Sequence, residues 1–170
     1  MQVILPGLQV KEAWKKIDSF DSQLENVVPY AFSAKYGYLT ACPTNLGTGI
    51  RVSAMLHLPG LVLAELINQI ITSVNKLGLA VRGLYGEGTE ALGNVFQVSN
   101  QMTLGESEAE IVEKLNKVVL QIVENEENAR QKVLETNPKM LLNHIGRAYG
   151  ILSHSHSISS KETKNLLSLL

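Results

Sequence analysis

The sequence predicts an α+β fold: an antiparallel β-sheet backed by α-helices, with a helical C-terminal extension. Three observations carry that prediction. Gly49–Leu58 alternates apolar and polar side chains at the period of a strand with two unlike faces. Leu63–Leu77 and Ile111–Val123 place apolar residues at helical spacing. After a first hairpin the elements run strand, helix, strand, strand, helix, helix with no internal repeat, an order that suits helices packed on an antiparallel sheet.

From the N-terminus, Gln2–Leu5 is predicted as a short strand closed by Pro6-Gly7. A helix is expected from Leu8 to about Asp18, because Val10, Ala13, Trp14 and Ile17 share one face opposite lysines. Ser19–Tyr36 is mixed, and Phe20, Leu24, Val27 and Val28 allow a further helical turn or two before Pro29. Gly37–Ala41 reads as a strand. In Gly49–Leu58, residues Ile50, Val52, Ala54, Leu56 and Leu58 face one way, and Arg51, Ser53, Met55 and His57 face the other. The second face is partly polar and is expected to border a cleft.

Pro59-Gly60 opens a predicted helix to about Lys76, stopped by Gly78. Leu79–Tyr85 and Asn94–Val98 are predicted strands, paired as a hairpin around the loop GEGTEALG. Ser107 and Glu110 form a capping-box signature for a long helix whose buried face is Ile111, Leu115, Val118, Val119, Ile122 and Val123. Beyond Glu124 the run NEENARQK predicts an exposed continuation towards Asn137-Pro138. Lys139–Leu152 is a shorter helix, SHSHSISS a polar linker, and Ser159 with Glu162 caps a last helix.

Bulk properties narrow the function. The 170 residues suggest one domain, and 45% hydrophobic content suffices for a core. A net charge of -1 argues against a nucleic-acid or anionic-membrane surface. No apolar run approaches the ~20 residues of a membrane span, and MQVILPG is not a secretory signal. The single cysteine forms no internal disulfide, so a cytoplasmic location is expected. The apolar ends, Val3-Ile4-Leu5 and Leu166–Leu170, suggest that both are cut from something longer.

Four side chains are candidates for chemistry. The chain has eleven lysines but only four arginines, and Arg51 and Arg82 both lie inside apolar strands. A guanidinium on a cleft face is a fixed cationic fork suited to phosphate oxygens. Either arginine alone could instead snorkel or pair with a structural glutamate. Each stands beside a Gly-containing loop, and as a pair they favour phosphate. Glu87, in Gly86-Glu87-Gly88, could receive a cation or a proton, or be an exposed turn residue. Cys42 opens the loop Cys42-Pro43-Thr44-Asn45 and is either a small buried hydrophobe or a thiolate. His154 and His156 lie in the serine linker without the further ligands a metal needs, and His144 reads as a core residue, so no metal-ligating residue is predicted.

CPTNLGTGIR followed by LHLP, then VRGLYGEGTEALGNVFQVSNQ, resembles the catalytic half of the ATP:guanido phosphotransferases (phosphagen kinases), nearest the bacterial protein-arginine kinases. The resemblance covers about Gln2–Arg130. RAYGILSHSHSISSKET is similar to the helical extension of the bacterial branch. It divides the chain into a partial catalytic domain, 1–130, and a truncated extension, 131–170. It implies a glutamine-synthetase-like antiparallel sheet and use of ATP with Mg²⁺. Arg51 and Arg82 would bind nucleotide phosphates. Arg51, Val52, Ser53, Ala54 and Met55, and Arg82, Gly83, Leu84, Tyr85, Gly86 and Glu87, would form the two ATP-contacting stretches. Glu87 would hold the substrate guanidinium and Cys42 would lie against it.

Met55 and Gly88 stand where small-metabolite members usually have histidine, and Gly88 would leave room for a polypeptide. The implied function is phosphorylation of arginine in proteins. The rival readings are a non-catalytic module binding nucleotide or phosphoarginine, and a kinase of a small guanidino metabolite. Protein substrates, activator or protease-adaptor partners and a homodimer are the implied partners, with no nucleic acid and no membrane. Family members carry further arginines, an adenine-side histidine and a second carboxylate upstream of the segment that matches Met1. Their phosphoarginine-sensing arginines lie downstream of Leu170. Weak or no kinase activity is therefore expected of these residues alone.

Overall fold

The computed structural model describes residues 1–83 and 91–170. The chain forms two compact units, residues 1–54 with 99–119 and residues 55–98 with 120–170.

In the first unit, α1 runs Val10–Glu25. It continues past the expected end at Asp18 because Ile17, Phe20 and Leu24 keep the helical spacing and nothing breaks the backbone before Pro29. The predicted strand at Gln2–Leu5 is not formed. Ile4 is 76% exposed, and no described strand pairs with that backbone. β1 (Phe32–Ser33) and β2 (Gly37–Tyr38) make a short antiparallel hairpin, so the strand expected over Gly37–Ala41 keeps only its first two residues. The unit also holds the start of β3 (Ser53–His57), the end of β5 (Val95–Asn100) and the first turns of α4 (Glu108–Thr136). The capping box at the head of α4 forms: Glu110 Oε2 accepts from Ser107 N–H at 2.8 Å, and Ser107 Oγ accepts from Glu110 N–H at 3.4 Å. Ile111, Val112, Leu115 and Val119 are the buried face of those turns.

The second unit carries a three-stranded sheet in the order β3-β5-β4, with β4 at Leu79–Gly83. Leu58 N–H donates to Asn94 O, and Asn100 N–H to Val52 O, so β3 and β5 run antiparallel. Along β3 exposed and half-buried residues alternate, with Ser53, Met55 and His57 outward. Leu58, Leu61, Leu79, Phe96, Val98 and Ile122 are among the most buried residues of this unit.

The helix expected from Gly60 to Lys76 is two: α2 (Pro59–Leu63) and α3 (Ile67–Lys76). Between them Glu65 takes a left-handed φ of 58°, and Leu66 N–H reaches back to Leu61 O. Gly78, at φ 75°, ends α3 as expected.

The continuation of α4 is not exposed all round. Glu126 is 4% exposed, and Ala129 and Val133 are buried beside it. The Glu126 carboxylate accepts from Gly60 N–H and Leu61 N–H, each at 2.8 Å, and pairs with Arg130 Nε at 2.6 Å. It thereby satisfies two amides at the head of α2 that have no intrahelical partner. A Cβ on Gly60 would stand 2.7 Å from Arg130 Cγ and 3.0 Å from Glu126 Oε1, so only glycine lets α4 approach this closely.

α5 (Pro138–His154) and α6 (Ser160–Leu167) complete the unit, and the Ser159 Oγ cap on Glu162 N–H forms as predicted. α6 packs on Leu92–Asn94. Gly93 N–H donates to Asn165 Oδ1 at 2.8 Å, and a Cβ on Gly93 would meet Lys164 O at 2.9 Å. Ser168 Oγ accepts from Asn94 Nδ2 at 2.7 Å and shares a 2.8 Å hydrogen bond with His57 Nε2. Burial of the ring, then the charge of Arg130, holds the His57 imidazolium below its usual pKa of 6.5, against the opposing pull of Glu126 and Ser168.

Two stability predictions arise. Gly60→Ala and Glu126→Gln should each lower the unfolding free energy by about 1–3 kcal/mol in urea titrations, the first through overpacking and the second by setting an amide donor against a backbone donor. The exposed neighbour change Glu127→Gln should leave the midpoint in place. Because His57 binds protons more weakly folded than unfolded, its contribution is complete above pH 6.5 and declines as the pH falls below it. His57→Gln should flatten the acid limb of stability against pH.

Candidate active site

The loop that carries Cys42 is closed at its stem and held from inside. Tyr38 and Gly47 exchange two backbone hydrogen bonds, of 2.8 and 3.3 Å. Pro43–Asn45 form a single tight turn, with Asn45 N–H donating to Cys42 O at 3.0 Å. Thr40 Oγ1 donates to the same carbonyl at 2.7 Å. Gly47, at φ 111°, leaves no room for a side chain, since a Cβ would fall on Thr103 O. Thr103, 3% exposed, spans the loop: its hydroxyl is shared between Leu46 O at 2.8 Å and Thr44 O at 3.1 Å. Its own carbonyl accepts from Thr48 N–H at 3.1 Å.

Cys42 is exposed at the head of this loop and is therefore not a buried hydrophobe. Its Sγ lies 3.0 Å from Thr44 Oγ1. Hydrogen bonding by the Thr44 side chain, then by the Thr44 backbone, draws the thiol below its ordinary pKa, and the charge of Arg51 acts in the same direction. The loop thus makes this thiol more acidic than an ordinary cysteine.

Arg51 is exposed, and its Nη2 reaches Ser99 Oγ at 3.5 Å. The backbone on either side of it is held by Asn100, which is 6% exposed. Asn100 Oδ1 accepts from Val52 N–H at 2.8 Å, and Nδ2 donates to Ile50 O at 3.1 Å. Among the described residues no carboxylate pairs with Arg51 or with Arg82. Both guanidinium groups are exposed, and such a fork suits the oxygens of an anion.

The first unit contains Cys42, Arg51, Val52, Ser53 and Ala54, with Ser53 on the outward face of β3 and Ala54 half-buried. Met55, 62% exposed, and Arg82 and Gly83, at the end of β4, belong to the second unit. Leu84, Tyr85, Gly86 and Glu87, and Gly88 with them, lie outside the described residues. Among the described residues no three His, Cys, Asp or Glu side chains converge on a metal, and the donor set at Arg51 fits phosphate oxygens rather than a cation. A cavity of about 350 Å³ borders both stems of the loop, lined by Asp21, Tyr30, Tyr38, Leu39, Thr48 and Gly49 among others. Burial, then the hydrogen bond to Asp21, pushes the Tyr30 phenol up to about 12.

Sequence reasoning missed Ser99, Asn100 and Thr103. They sit in a run, SNQMT, whose polar residues read as a strand end and a turn. The available signal was three hydrogen-bonding residues at the place where an apolar strand stops.

The chain matches two family models: ATP:guanido phosphotransferase, C-terminal catalytic domain, over residues 1–129, and protein-arginine kinase McsB C-terminal domain over residues 138–170. It is 53% identical to the protein-arginine kinase of Bacillus licheniformis and 52% identical to that of Bacillus subtilis, in each case over 99% of this chain and 46% of the relative. It thus spans about half the length of the curated relatives it matches. Among solved structures it is similar to a lombricine kinase, with TM-score 0.62 and 31% identity over 74% of this chain and 35% of that one. It is also similar to a taurocyamine kinase from Schistosoma mansoni, with TM-score 0.63 and 27% identity over 85% of this chain and 21% of that one. The catalytic-domain model matches most of the chain, and the antiparallel sheet with its helices agrees with the solved kinases: the chain belongs to the ATP:guanido phosphotransferase family.

Proposed function

We propose that this chain is the nucleotide-phosphate and guanidinium-contacting part of a protein-arginine kinase, which transfers the γ-phosphoryl group of ATP to arginine side chains of proteins in the cytoplasm. The observation that carries the reading is the exposed Cys42 thiol, made more acidic by Thr44 and by the charge of Arg51, in the same unit as the exposed Arg51 guanidinium.

The chemistry requires both. An arginine guanidinium stays protonated to pH 12 and above and is a poor nucleophile until it is oriented and relieved of a proton. A thiolate beside it stabilises positive charge on the nitrogens that do not react. Arg51, with Arg82, neutralises phosphate oxygens as the bond from γ-phosphorus to the β-bridging oxygen breaks and the bond to the guanidino nitrogen forms. Glu87 is the carboxylate proposed to hold the guanidinium and take its proton. Mg²⁺ accompanies the nucleotide, where it would neutralise phosphate charge. A protein substrate, rather than a free guanidino metabolite, is favoured by 53% identity to a protein-arginine kinase against 31% to lombricine kinase. Met55, in place of a metabolite-kinase histidine, agrees with it. The activator or adaptor partners and the homodimer remain part of this proposal.

Titration calorimetry with MgADP tests the nucleotide half: binding is expected, and Arg51→Ala should weaken it at least about tenfold, the scale of a lost charge-assisted contact. Equal affinity in both proteins would remove Arg51 from the site. A ³¹P spectrum after long incubation with ATP and an arginine-bearing protein should show any transferred phosphate on protein nitrogen. Faster labelling of free arginine would replace this reading with that of a metabolite kinase. For the thiol, alkylation by iodoacetamide should show a pH midpoint below that of an ordinary cysteine, and Thr44→Val should raise it.

A further inference from the structure

Arg51 lies just before β3 becomes a regular strand, which it does only at Ser53. An arginine there would swing with its backbone unless something replaced the missing ladder. Asn100, at the end of β5, supplies the replacement. Its carboxamide has one acceptor and two donor hydrogens, and all are used. Oδ1 takes Val52 N–H at 2.8 Å, while Nδ2 gives to Ile50 O and to Met102 O, both at 3.1 Å. Its own N–H adds a 3.3 Å bond to Val52 O. A side-chain amide carries the groups of a peptide bond, so it continues the strand pairing where the strand itself has stopped. The residue before it, Ser99, is the one whose hydroxyl meets the guanidinium. Three residues after it, Thr103 holds the carbonyls of Thr44 and Leu46 inside the Cys42 loop.

We propose that Asn100 is a positioning residue for the Arg51 guanidinium, and that the segment Ser99–Thr103 sets that guanidinium and the Cys42 loop in register from one stretch of backbone. This rests on the reading of Arg51 as a phosphate ligand and of Cys42 as the thiol facing the guanidino group. It adds a residue that touches neither ligand and acts through one that does. Aspartate could not donate to Ile50 O, and alanine would leave two backbone groups beside Arg51 unpaired, so the position is specific for asparagine.

The experiment uses the 170-residue chain and two readouts. The first is the alkylation midpoint of Cys42, measured in Asn100→Ala, Arg51→Ala and the double variant, without nucleotide. Arg51→Ala should raise the midpoint, because the guanidinium charge favours the thiolate. Asn100→Ala should raise it too, by misplacing that charge, and the double variant should match Arg51→Ala alone. The second is MgADP affinity, which Asn100→Ala should weaken by about tenfold, as for a lost buried hydrogen-bond set.

An unchanged midpoint together with unchanged affinity would overturn the proposal. So would additive midpoint shifts in the double variant, which would make Asn100 a general support of the loop with no route through Arg51. Should Asn100→Ala fail to fold by circular dichroism, Asn100→Ser supplies the same arms with the same expected outcomes. If the unsubstituted chain binds no MgADP, the nucleotide reading fails, and the thiol cycle alone still decides whether Asn100 acts through Arg51.

Discussion

A single buried carboxylate organises the second unit. Glu126 lies deep in the long helix α4, and a charge taken from water there costs several kcal/mol unless it is fully hydrogen-bonded. The cost is offset by two backbone amides and by Arg130 one turn along. Those amides open α2, a helix of five residues that is too short to persist on its own. Helix α2 follows β3 directly, so the carboxylate that fixes the helix also fixes where the strand must end. Pro59 at the first helical position asks for no amide partner, and Gly60 offers no side chain, so the two residues leave the approach to Glu126 open.

The first unit solves a different problem, that of holding a loop in one shape while its thiol stays in water. Few apolar side chains are available between Thr40 and Gly49, and the loop is stabilised by satisfied polar groups instead. The buried Thr103 hydroxyl and carbonyl engage three of its residues. Such a network loses much of its value when one member is missing, which suits a segment that must have a single geometry. The same construction leaves the Cys42 sulfur with hydroxyl and cationic neighbours and no apolar cover, and that environment governs its acidity.

Much of the fold was legible because it follows from local chemistry. The alternation of β3, the Ser107–Glu110 box, the Ser159 cap and the Gly78 stop depend on residues within a few positions of one another, and all are present. The extension of α1 was half visible, in the spacing of Phe20 and Leu24. What could not be read depended on distant partners. The break between α2 and α3 has no Gly or Pro to announce it; Glu65 adopts a left-handed conformation because Leu66 bonds back to Leu61. Val3-Ile4-Leu5 has the composition of a strand, yet pairing needs a neighbour that local sequence does not name. Glu126 sits in the most polar stretch of the chain, and its burial is set by amides 65 and 66 residues away.

Of the candidate site, the side chains were legible and their supports were not. Cys42 and Arg51 stand out by rarity of type and by the loop between them, whereas Asn100 and Thr103 are common residues in a common setting. Their roles appear only when the segment Ser99–Thr103 is laid beside the Cys42 loop and the backbone on either side of Arg51.

The docking of α6 has an evolutionary consequence for Gly93. That residue is constrained twice: its φ of 64° suits glycine or asparagine, and the Lys164 carbonyl occupies the space where a Cβ would project. The two constraints have separate origins, one in the chain's own turn and one in the tail. In a lineage whose tail diverged or was lost, asparagine would become admissible at this position, while β-branched residues would remain excluded. Drift at position 93 would then record the history of a helix some seventy residues downstream, whose Asn165 accepts from the Gly93 amide.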